Sequence, residues 1–165
     1  MGLLDFLKPK SKTKSEIKIE APVSGKYLPL AEVPDEVFAQ GVLGPGCGFQ
    51  PTEGVVYAPA SGIITTIAET KHAIGMTATE GLEILIHIGM DTVKLNGEGF
   101  SVKVENGQKV NAGDVLLTFD MDVILKAGYE LTSALVLTNA SSFSEISFET
   151  GKNLEHGEVC GKAVR

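Results

Sequence analysis

The chain has 165 residues, of which 43% are hydrophobic and 21% charged, which is the length and composition of one globular domain with a tail. Its net charge is −7, and residues 19–165 hold nine Lys or Arg against 19 Asp or Glu, so the acidic body argues against nucleic acid and suits a partner with a basic face. Two cysteines are too few for a disulfide scaffold. No apolar run approaches the roughly 20 residues that span a bilayer, and no signal-peptide pattern is present. We therefore expect a cytoplasmic protein.

The first predicted element is a tail at residues 1–16. Four apolar side chains between Leu3 and Leu7 fall on one side of two helical turns, and four lysines follow up to Lys14. An apolar face beside a basic run is typical of a weak interfacial anchor, so residues 1–14 are predicted to contact anionic lipid at the inner face of the membrane. A disordered tail is the alternative.

Residues 17–165 are predicted to form one all-β domain, in which 19 glycines and seven prolines mark frequent turns between short strands. The sequence Ala-Pro-Val-Ser-Gly at 21–25 recurs as Ala-Pro-Ala-Ser-Gly at 58–62. We interpret this as an internal strand-turn repeat, in which proline lies at a strand edge and glycine supplies a positive φ.

A short helical turn and a glycine-rich loop lie between the two copies of the repeat. Asp35 is placed to cap the turn, and residues 41–49 lack the glycine spacing of a nucleotide cradle. Apolar side chains concentrate in this segment at Val37, Phe38, Val42 and Leu43. They predict either a lid over the core or an exposed docking patch.

The stretch from Leu82 to Val93 carries one histidine within an apolar strand. Strand alternation puts four side chains on the core face: Leu82, Ile84, Ile86 and Ile88. It puts Glu83, Leu85 and His87 on the other face, where they are expected to line a shallow surface depression.

A second histidine, His72, lies at the end of another predicted strand. Residues 77–81 are predicted to form the turn before the His87 strand, and strands joined by a tight turn are usually antiparallel neighbours. His72 lies nine residues before Gly81 and His87 lies six after it, so the two imidazoles are expected side by side. Thr70, two residues before His72, can offer a hydroxyl to one of them.

The rest of the chain continues the β pattern. The cadence of valine and glycine at residues 102–119 is typical of hairpins in small β-barrels and sandwiches, and it also occurs in biotinyl and lipoyl carriers. Those carriers need a lysine beside methionine or aspartate at a hairpin tip, and this sequence lacks that pattern. A short helix is predicted at residues 121–128, strands at 135–139, 146–148 and 158–164, and a solvated turn at His156.

A pair of histidines on a β scaffold is compatible with three chemistries. A catalytic zinc site usually has three protein ligands, so Asp91 or Glu83 would have to complete the set, and the H-x-H and H-E-x-x-H spacings are absent. A serine hydrolase needs a G-x-S-x-G elbow, which is also absent. Phosphoryl transfer needs a neutral imidazole nitrogen as nucleophile and donors for the phosphate oxygens.

Four blocks in a fixed order narrow this choice. They are Ala-Pro-Ala-Ser-Gly at 58–62, Glu-Thr-Lys-His-Ala-Ile-Gly at 69–75, Leu-Ile-His-Ile-Gly-Met-Asp-Thr-Val at 85–93 and Leu-Asn-Gly-Glu-Gly-Phe at 95–100. Together they closely resemble the glucose-class enzyme IIA family of the bacterial phosphoenolpyruvate:sugar phosphotransferase system. The resemblance runs from about Ile19 to Asn139 and implies an antiparallel β-sandwich. It implies a phosphotransferase without a cofactor, in which a histidine takes a phosphoryl group from the phosphohistidine of the carrier protein HPr and passes it to a cysteine of an enzyme IIB domain.

The resemblance also implies roles for five residues. His87 matches the phospho-acceptor, which attacks through Nε2, and His72 matches the neighbour that donates a hydrogen bond to the phosphoryl group. Thr70 resembles the threonine that orients the pair, and Gly89 the glycine whose carbonyl holds the Nδ1 proton of His87. Asp91 matches an aspartate whose charge repels the phosphoryl group. No metal is required, and zinc held by the two histidines would be adventitious or regulatory.

Partners follow from the same resemblance. The docking surface for HPr and the IIB domain maps onto Val37, Phe38, Val42, Leu43, Leu85, Ile86, Ile88 and Met90. Unphosphorylated members also dock transporters or enzymes in order to regulate them. Residues 44–49 and those after Asn139 depart from the family pattern, and the sugar is set by the membrane permease. Zinc endopeptidases that cleave cell-wall peptides are an alternative with a similar β architecture, but they need an H-x-H block, and residues 86–88 supply one histidine.

Overall fold

The computed structural model describes residues 16–165, so the predicted tail lies outside the described residues except for Glu16. Glu16, the last residue of the predicted tail, is the first residue of a strand. Strands and helices follow one another in the order β1 (Glu16–Glu20), β2 (Gly25–Pro29), α1 (Glu36–Ala39), β3 (Gly46–Pro51), β4 (Val55–Tyr57), β5 (Gly62–Ile67), β6 (Ala73–Ala78), β7 (Glu83–His87), β8 (Phe100–Val102), β9 (Lys109–Val110), β10 (Val115–Phe119), α2 (Met121–Lys126), β11 (Ser133–Leu137), β12 (Glu145–Phe148), β13 (Lys152–Leu154) and β14 (Val159–Val164). Three short 3-10 turns, at Leu30–Glu32, Thr92–Leu95 and Ala140–Ser142, complete the secondary structure of this part of the chain.

The strands form three sheets in which neighbouring strands run antiparallel. The largest sheet has eight strands in the order β13-β2-β3-β11-β7-β6-β5-β9, and two smaller sheets have the orders β1-β14-β12 and β4-β10-β8. The predicted all-β antiparallel sandwich is thus confirmed, with short helical turns between strands. Hydrophobic alternation explains the packing, since Ile17 and Ile19 of β1 are buried while Glu16 and Lys18 are exposed.

Two glycines close the copies of the repeat, Gly25 at the start of β2 and Gly62 at the start of β5. The prediction that they supply a positive φ is wrong, because neither has a backbone in the left-handed region. A Cβ on Gly25 would collide with the carbonyl oxygen of Gln50, and one on Gly62 with the carbonyl oxygen of Thr77. The repeat therefore needs glycine because two backbones approach closely.

The hydrophobic core extends from Ile17 in the first strand to Ala163 in the last. Its largest fully buried side chains include Tyr27 and Phe49, whose rings stack with centroids 5.3 Å apart. The predicted core face of β7 and its two flanking residues is confirmed, since all four side chains are at most 2% exposed: Leu82, Ile84, Ile86 and Ile88.

The β6–β7 hairpin brings the two histidines together. Ala73 pairs with His87 and Met76 with Ile84, as expected for antiparallel neighbours. β6 continues to Ala78, so the connection begins two residues later than the predicted turn. His72 precedes β6 and follows a tight turn in which Lys71 has a φ of 64°, so it is not at the end of a strand that runs on from β5.

The first short helix has the predicted cap at Asp35, and the second is followed by the predicted glycine but ends at Lys126 and has a cap, Asp120, that was not predicted. The Asp35 carboxylate accepts hydrogen bonds from the backbone N–H groups of Val37 at 2.9 Å and Phe38 at 3.4 Å. Asp120 caps α2 in the same way, and Gly128 follows that helix with a φ of 88°. Within residues 16–165, no helix has the length and apolarity to cross a membrane.

The late strands were predicted with small errors in their boundaries. β11 begins and ends two residues before the predicted span 135–139, while β12 and β14 each agree with prediction to within one residue. β13 was missed, because Lys-Asn-Leu is too short and too polar to show alternation.

Candidate functional site

His87 is the last residue of β7 and lies on the outer face of the eight-stranded sheet. Its cross-strand neighbours are Ala73 on β6 and Ala134 on β11. Both are small, so the imidazole lies in a depression between them, as the alternation predicted. The Phe38 ring covers one side of this depression, with its centroid 4.9 Å from that of His87.

The predicted contact between the two imidazoles is present. The ring centroids of His72 and His87 are 4.6 Å apart, and the rings are nearly perpendicular at 83°. The backbone N–H of Ile88 donates to the carbonyl of His72 at 2.8 Å, which ties together the two segments that carry the histidines. Continuous strand pairing therefore fixes their separation.

Each imidazole uses its Nδ1 atom for a hydrogen bond within the protein. Nδ1 of His87 is 2.9 Å from the carbonyl oxygen of Gly89. A carbonyl only accepts, so this Nδ1 carries the proton and Nε2 of the neutral ring keeps a free lone pair. Nδ1 of His72 is 2.8 Å from the Thr70 hydroxyl, and when that hydroxyl donates, the proton of neutral His72 is on Nε2.

Burial keeps both rings neutral near pH 7. Desolvation, reinforced by the neighbouring His72, lowers the pKa of His87 to about 4, against the opposite effects of the Gly89 carbonyl, Asp35 and Asp91. Burial also lowers the pKa of His72. A neutral imidazole with a free Nε2 is a nucleophile, and a neutral imidazole with an Nε2 proton is a hydrogen-bond donor.

Asp91 lies at the exposed rim of the site, four residues after His87. Its φ is 62°, and its side chain does not cap the 3-10 turn that follows. The carboxylate is therefore available to act on the site electrostatically, which agrees with its effect on the pKa of His87.

The predicted docking surface divides into exposed and buried residues. Three of its apolar side chains are exposed by 37–69%: Val37, Val42 and Leu43. Leu85 is half-buried. Ile86 and Ile88 were wrongly assigned to this surface, because strand alternation turns them to the core, where they are 1% and 0% exposed.

Phe38 and Met90 are also buried, at 6% and 3% exposure, which corrects their assignment as contact residues. They form a second, smaller core with Val33, Ala134 and Val136 on the outer face of the sheet. The segment after Leu30 is thus both a lid and a patch, since Phe38 packs inward while its neighbours point to solvent.

Sequence reasoning missed two buried hydroxyls beside Gly89. Ser133 accepts from the Gly89 N–H at 2.9 Å, and Thr92 donates to the Ile88 carbonyl at 2.6 Å. Thr92 directly follows Asp91 in the block at 85–93 that resembles the family, and this position was a weak indication that it belongs to the site. Ser133 lies 44 residues from Gly89, and no local pattern connects them.

The same region has few ligands for a metal. Within the described part of the chain, no group of three or more His, Cys, Asp or Glu is arranged to hold an ion. The two imidazoles alone are fewer than the three protein ligands usual in a catalytic zinc site.

Comparisons with known proteins identify relatives of this chain. A family model described as phosphoenolpyruvate-dependent sugar phosphotransferase system, EIIA 1, matches residues 17–143. The PTS system glucose-specific EIIA component of Staphylococcus epidermidis is 42% identical over 143 residues, which are 87% of this chain and 86% of that protein. The structure of glucose permease IIA from Mycoplasma capricolum, 36% identical, covers 90% of this chain and 96% of its own with a TM-score of 0.82.

Longer relatives match as well. The PTS system glucose-specific EIICBA component of Staphylococcus saprophyticus is 45% identical over 91% of this chain, and the mannose-specific EIIBCA component of Corynebacterium glutamicum is 46% identical over 84%. The chain spans 22% and 20% of the lengths of these two proteins.

These matches place the chain among the EIIA components of the sugar phosphotransferase system. It belongs to the EIIA 1 family of the phosphoenolpyruvate-dependent sugar phosphotransferase system, whose members relay phosphoryl groups. The predicted family is therefore confirmed, and neither the zinc endopeptidases nor the biotinyl and lipoyl carriers receive support.

Proposed function

We propose that His87 is the residue that accepts the phosphoryl group, and that it receives it from the phosphohistidine of HPr. The observation that carries the proposal is the hydrogen bond from Nδ1 of His87 to the Gly89 carbonyl, 2.9 Å long. It leaves Nε2 unprotonated on a ring whose centroid is 4.6 Å from that of His72. The lowered pKa keeps this nitrogen available as a nucleophile at neutral pH.

In the transfer, Nε2 of His87 attacks phosphorus, and the bond from phosphorus to the donor imidazole breaks. The donor ring carries a proton on its other nitrogen, so it leaves as a neutral imidazole, and His87 becomes a phosphoimidazolium that keeps its Nδ1 proton. The Gly89 carbonyl and the carboxylates of Asp35 and Asp91 favour positive charge on this ring. A thiolate of a IIB domain then attacks phosphorus, and His87 returns to its neutral form.

His72 supplies a donor for the phosphoryl oxygens in this proposal. The Thr70 hydroxyl holds Nδ1 of His72, which leaves an Nε2 proton within the shared depression. A fixed donor of this kind stabilises charge that develops on the oxygens during transfer. Asp91 repels the phosphoryl oxygens from the rim, which makes the group easier to pass on.

The partner surface is the ring of exposed side chains around the site. Val37, Val42 and Leu43 provide apolar contact area beside the carboxylates of Asp35 and Glu36. A partner with a basic face and an apolar centre fits this combination, which supports HPr. Longer relatives carry EIIB and EIIC in their names, which supports a sugar permease as the second partner.

The proposal extends to cellular context. We place the chain in the cytoplasm, where HPr and the IIB domain are accessible, and propose that its unphosphorylated form docks regulated transporters or enzymes through the same surface. Contact of residues 1–14 with the inner face of the membrane remains a prediction from their apolar and basic pattern.

Phosphorylation of purified protein tests the acceptor assignment. Incubation with phosphoenolpyruvate, enzyme I and HPr is expected to add one phosphoryl group by intact mass, stable to alkali and labile to acid. His87→Ala is expected to abolish uptake. His156→Ala is the matched control, because His156 is exposed and stacks on Tyr57 instead of lying at the site. Full uptake by His87→Ala would refute the assignment.

A further inference from the structure

We infer that Ser133 is a positioning residue for His87, and that its hydroxyl holds the Gly89 backbone so that the Gly89 carbonyl selects the Nδ1–H tautomer. This inference rests on the proposed role of His87 as phosphoryl acceptor. It assigns a task to a residue on β11 that lies outside the motif carrying His87 and makes no direct hydrogen bond to the imidazole.

The two peptide groups on either side of Gly89 are held at every polar atom. In the first, the Gly89 N–H donates to Ser133 Oγ at 2.9 Å, and the Ile88 carbonyl accepts from Thr92 Oγ1 at 2.6 Å. In the second, the Met90 N–H donates to the Glu130 carbonyl at 3.1 Å, and the Gly89 carbonyl accepts from His87. Three of these four contacts fix the orientation of the carbonyl that receives the fourth.

The direction of the Ser133 hydrogen bond is determined by its other partner. Its hydroxyl proton is donated to the Leu131 carbonyl at 2.8 Å, so its oxygen is left to accept from Gly89. Ser133 is 0% exposed, and solvent does not reach the hydroxyl to replace it. Loss of this oxygen would leave the Gly89 N–H buried without its partner.

Gly89 needs such a restraint because of its backbone. Its φ is 70°, a region that glycine enters and leaves without steric cost. A Cβ at this position would lie 2.5 Å from Thr92 Cγ2 and 2.9 Å from the Glu130 oxygen, so no other residue fits. Glycine is thus the residue type that fits here, and its backbone is the most flexible of all. Hydrogen bonds must therefore hold the Gly89 backbone in place.

The consequence for His87 is chemical. The hydrogen bond made by one ring nitrogen decides which of the two carries the proton. If the Gly89 carbonyl turns away, Nδ1 loses its acceptor and the proton can move to Nε2, which then has no lone pair for attack on phosphorus. Ser133 would therefore act on the rate of phosphoryl uptake through the tautomer of His87.

The test uses the full chain labelled with ¹⁵N-histidine, and it compares wild type with Ser133→Ala, Ser133→Thr and Thr132→Val. Ser133→Ala is expected to increase the Nε2–H fraction of His87, seen in its ring ¹⁵N shifts, and to slow single-turnover uptake from phospho-HPr roughly tenfold. Ser133→Thr retains the hydroxyl and is expected to restore both. Thr132→Val is the matched control, because the buried Thr132 hydroxyl accepts from Gln50 and does not contact Gly89.

Wild-type ring shifts and uptake rate in Ser133→Ala would overturn the inference, as would equal effects from Thr132→Val. If Ser133→Ala does not fold, Ser133→Cys replaces it, because its thiol is a weak acceptor, and wild-type shifts there would be equally contrary. Failure of wild type to take up phosphate would instead refute the proposed function, while the ¹⁵N shifts would still report whether Ser133 controls the tautomer.

Discussion

At the scale of single residues, the site depends on a histidine that the fold keeps uncharged. The ring of His87 lies between two alanines and beneath Phe38. This burial destabilises the protonated ring more than the charges of Asp35 and Asp91 stabilise it, so the pKa is lowered. A nucleophilic nitrogen is the result. The same burial must appear in the stability of the protein, because a pKa that changes on folding links folding to pH.

Stability is expected to fall as pH decreases from about 6.5 to about 4, since unfolded His87 takes up a proton in this range and folded His87 does not. The contribution of this residue is at most about 3 kcal/mol, fully present above the unfolded pKa and lost towards the folded one. Urea unfolding of wild type and His87→Asn across this pH range measures the contribution as the difference between the two plots of unfolding free energy against pH. The titration of carboxylates affects both proteins equally and cancels in that difference. Parallel curves would contradict the prediction.

How far the sequence predicts this site follows from the range of the contacts involved. The pairing of His72 with His87 was predictable because one hairpin connects them, and the Thr70 contact because two residues separate it from His72. The clamp by Ser133 was not predictable, since it depends on β11 lying beside β7. For Ile86 and Ile88 two predictions disagreed: strand alternation placed them in the core, and the family resemblance placed them on the surface. Their burial shows that strand alternation was correct.

At the scale of elements, the sheet relies on close backbone approach at its turns. Periodicity predicted β7 and its buried face, but it carries no information on how near a neighbouring carbonyl lies. Gly62 is the clearest case, because its role was predicted from turn conformation and is set by its neighbour on β6. The sequence therefore predicted where the glycine lies but not why a glycine is needed there.

Gly62→Ala is expected to destabilise the protein by about 1–3 kcal/mol, because the added methyl group collides with the Thr77 carbonyl and the β5–β6 pairing must shift. Gly75→Ala is the matched control on β6. Its φ is not in the left-handed region, and a Cβ there would lie at an ordinary 3.4 Å from that of Thr66. This variant should be neutral or more stable by less than about 1 kcal/mol. Urea unfolding distinguishes the two, and equal losses would contradict the role given to Gly62.

At the scale of the whole molecule, both faces of the eight-stranded sheet are used. Its inner side closes the main core, and its outer side carries the smaller core under α1 together with the histidine pair. The segment from Leu30 to Leu43 is therefore fixed from below by Phe38 and presents Val37, Val42 and Leu43 to a partner. An apolar patch beside carboxylates on an acidic body favours a basic partner over a second, equally acidic copy of this chain.

Val42→Lys is expected to weaken binding of HPr at least tenfold, because it removes apolar contact area and sets a positive charge against a basic face. Val42 is 69% exposed, so its replacement should leave the free energy of unfolding within about 0.5 kcal/mol of wild type. Val159→Lys is the matched control, because Val159 is 37% exposed on β14 in a different sheet. Titration calorimetry with HPr at two salt concentrations measures both effects, since charge repulsion weakens with salt and the apolar loss does not. Equal affinities for the two variants would move the docking surface away from the histidine site.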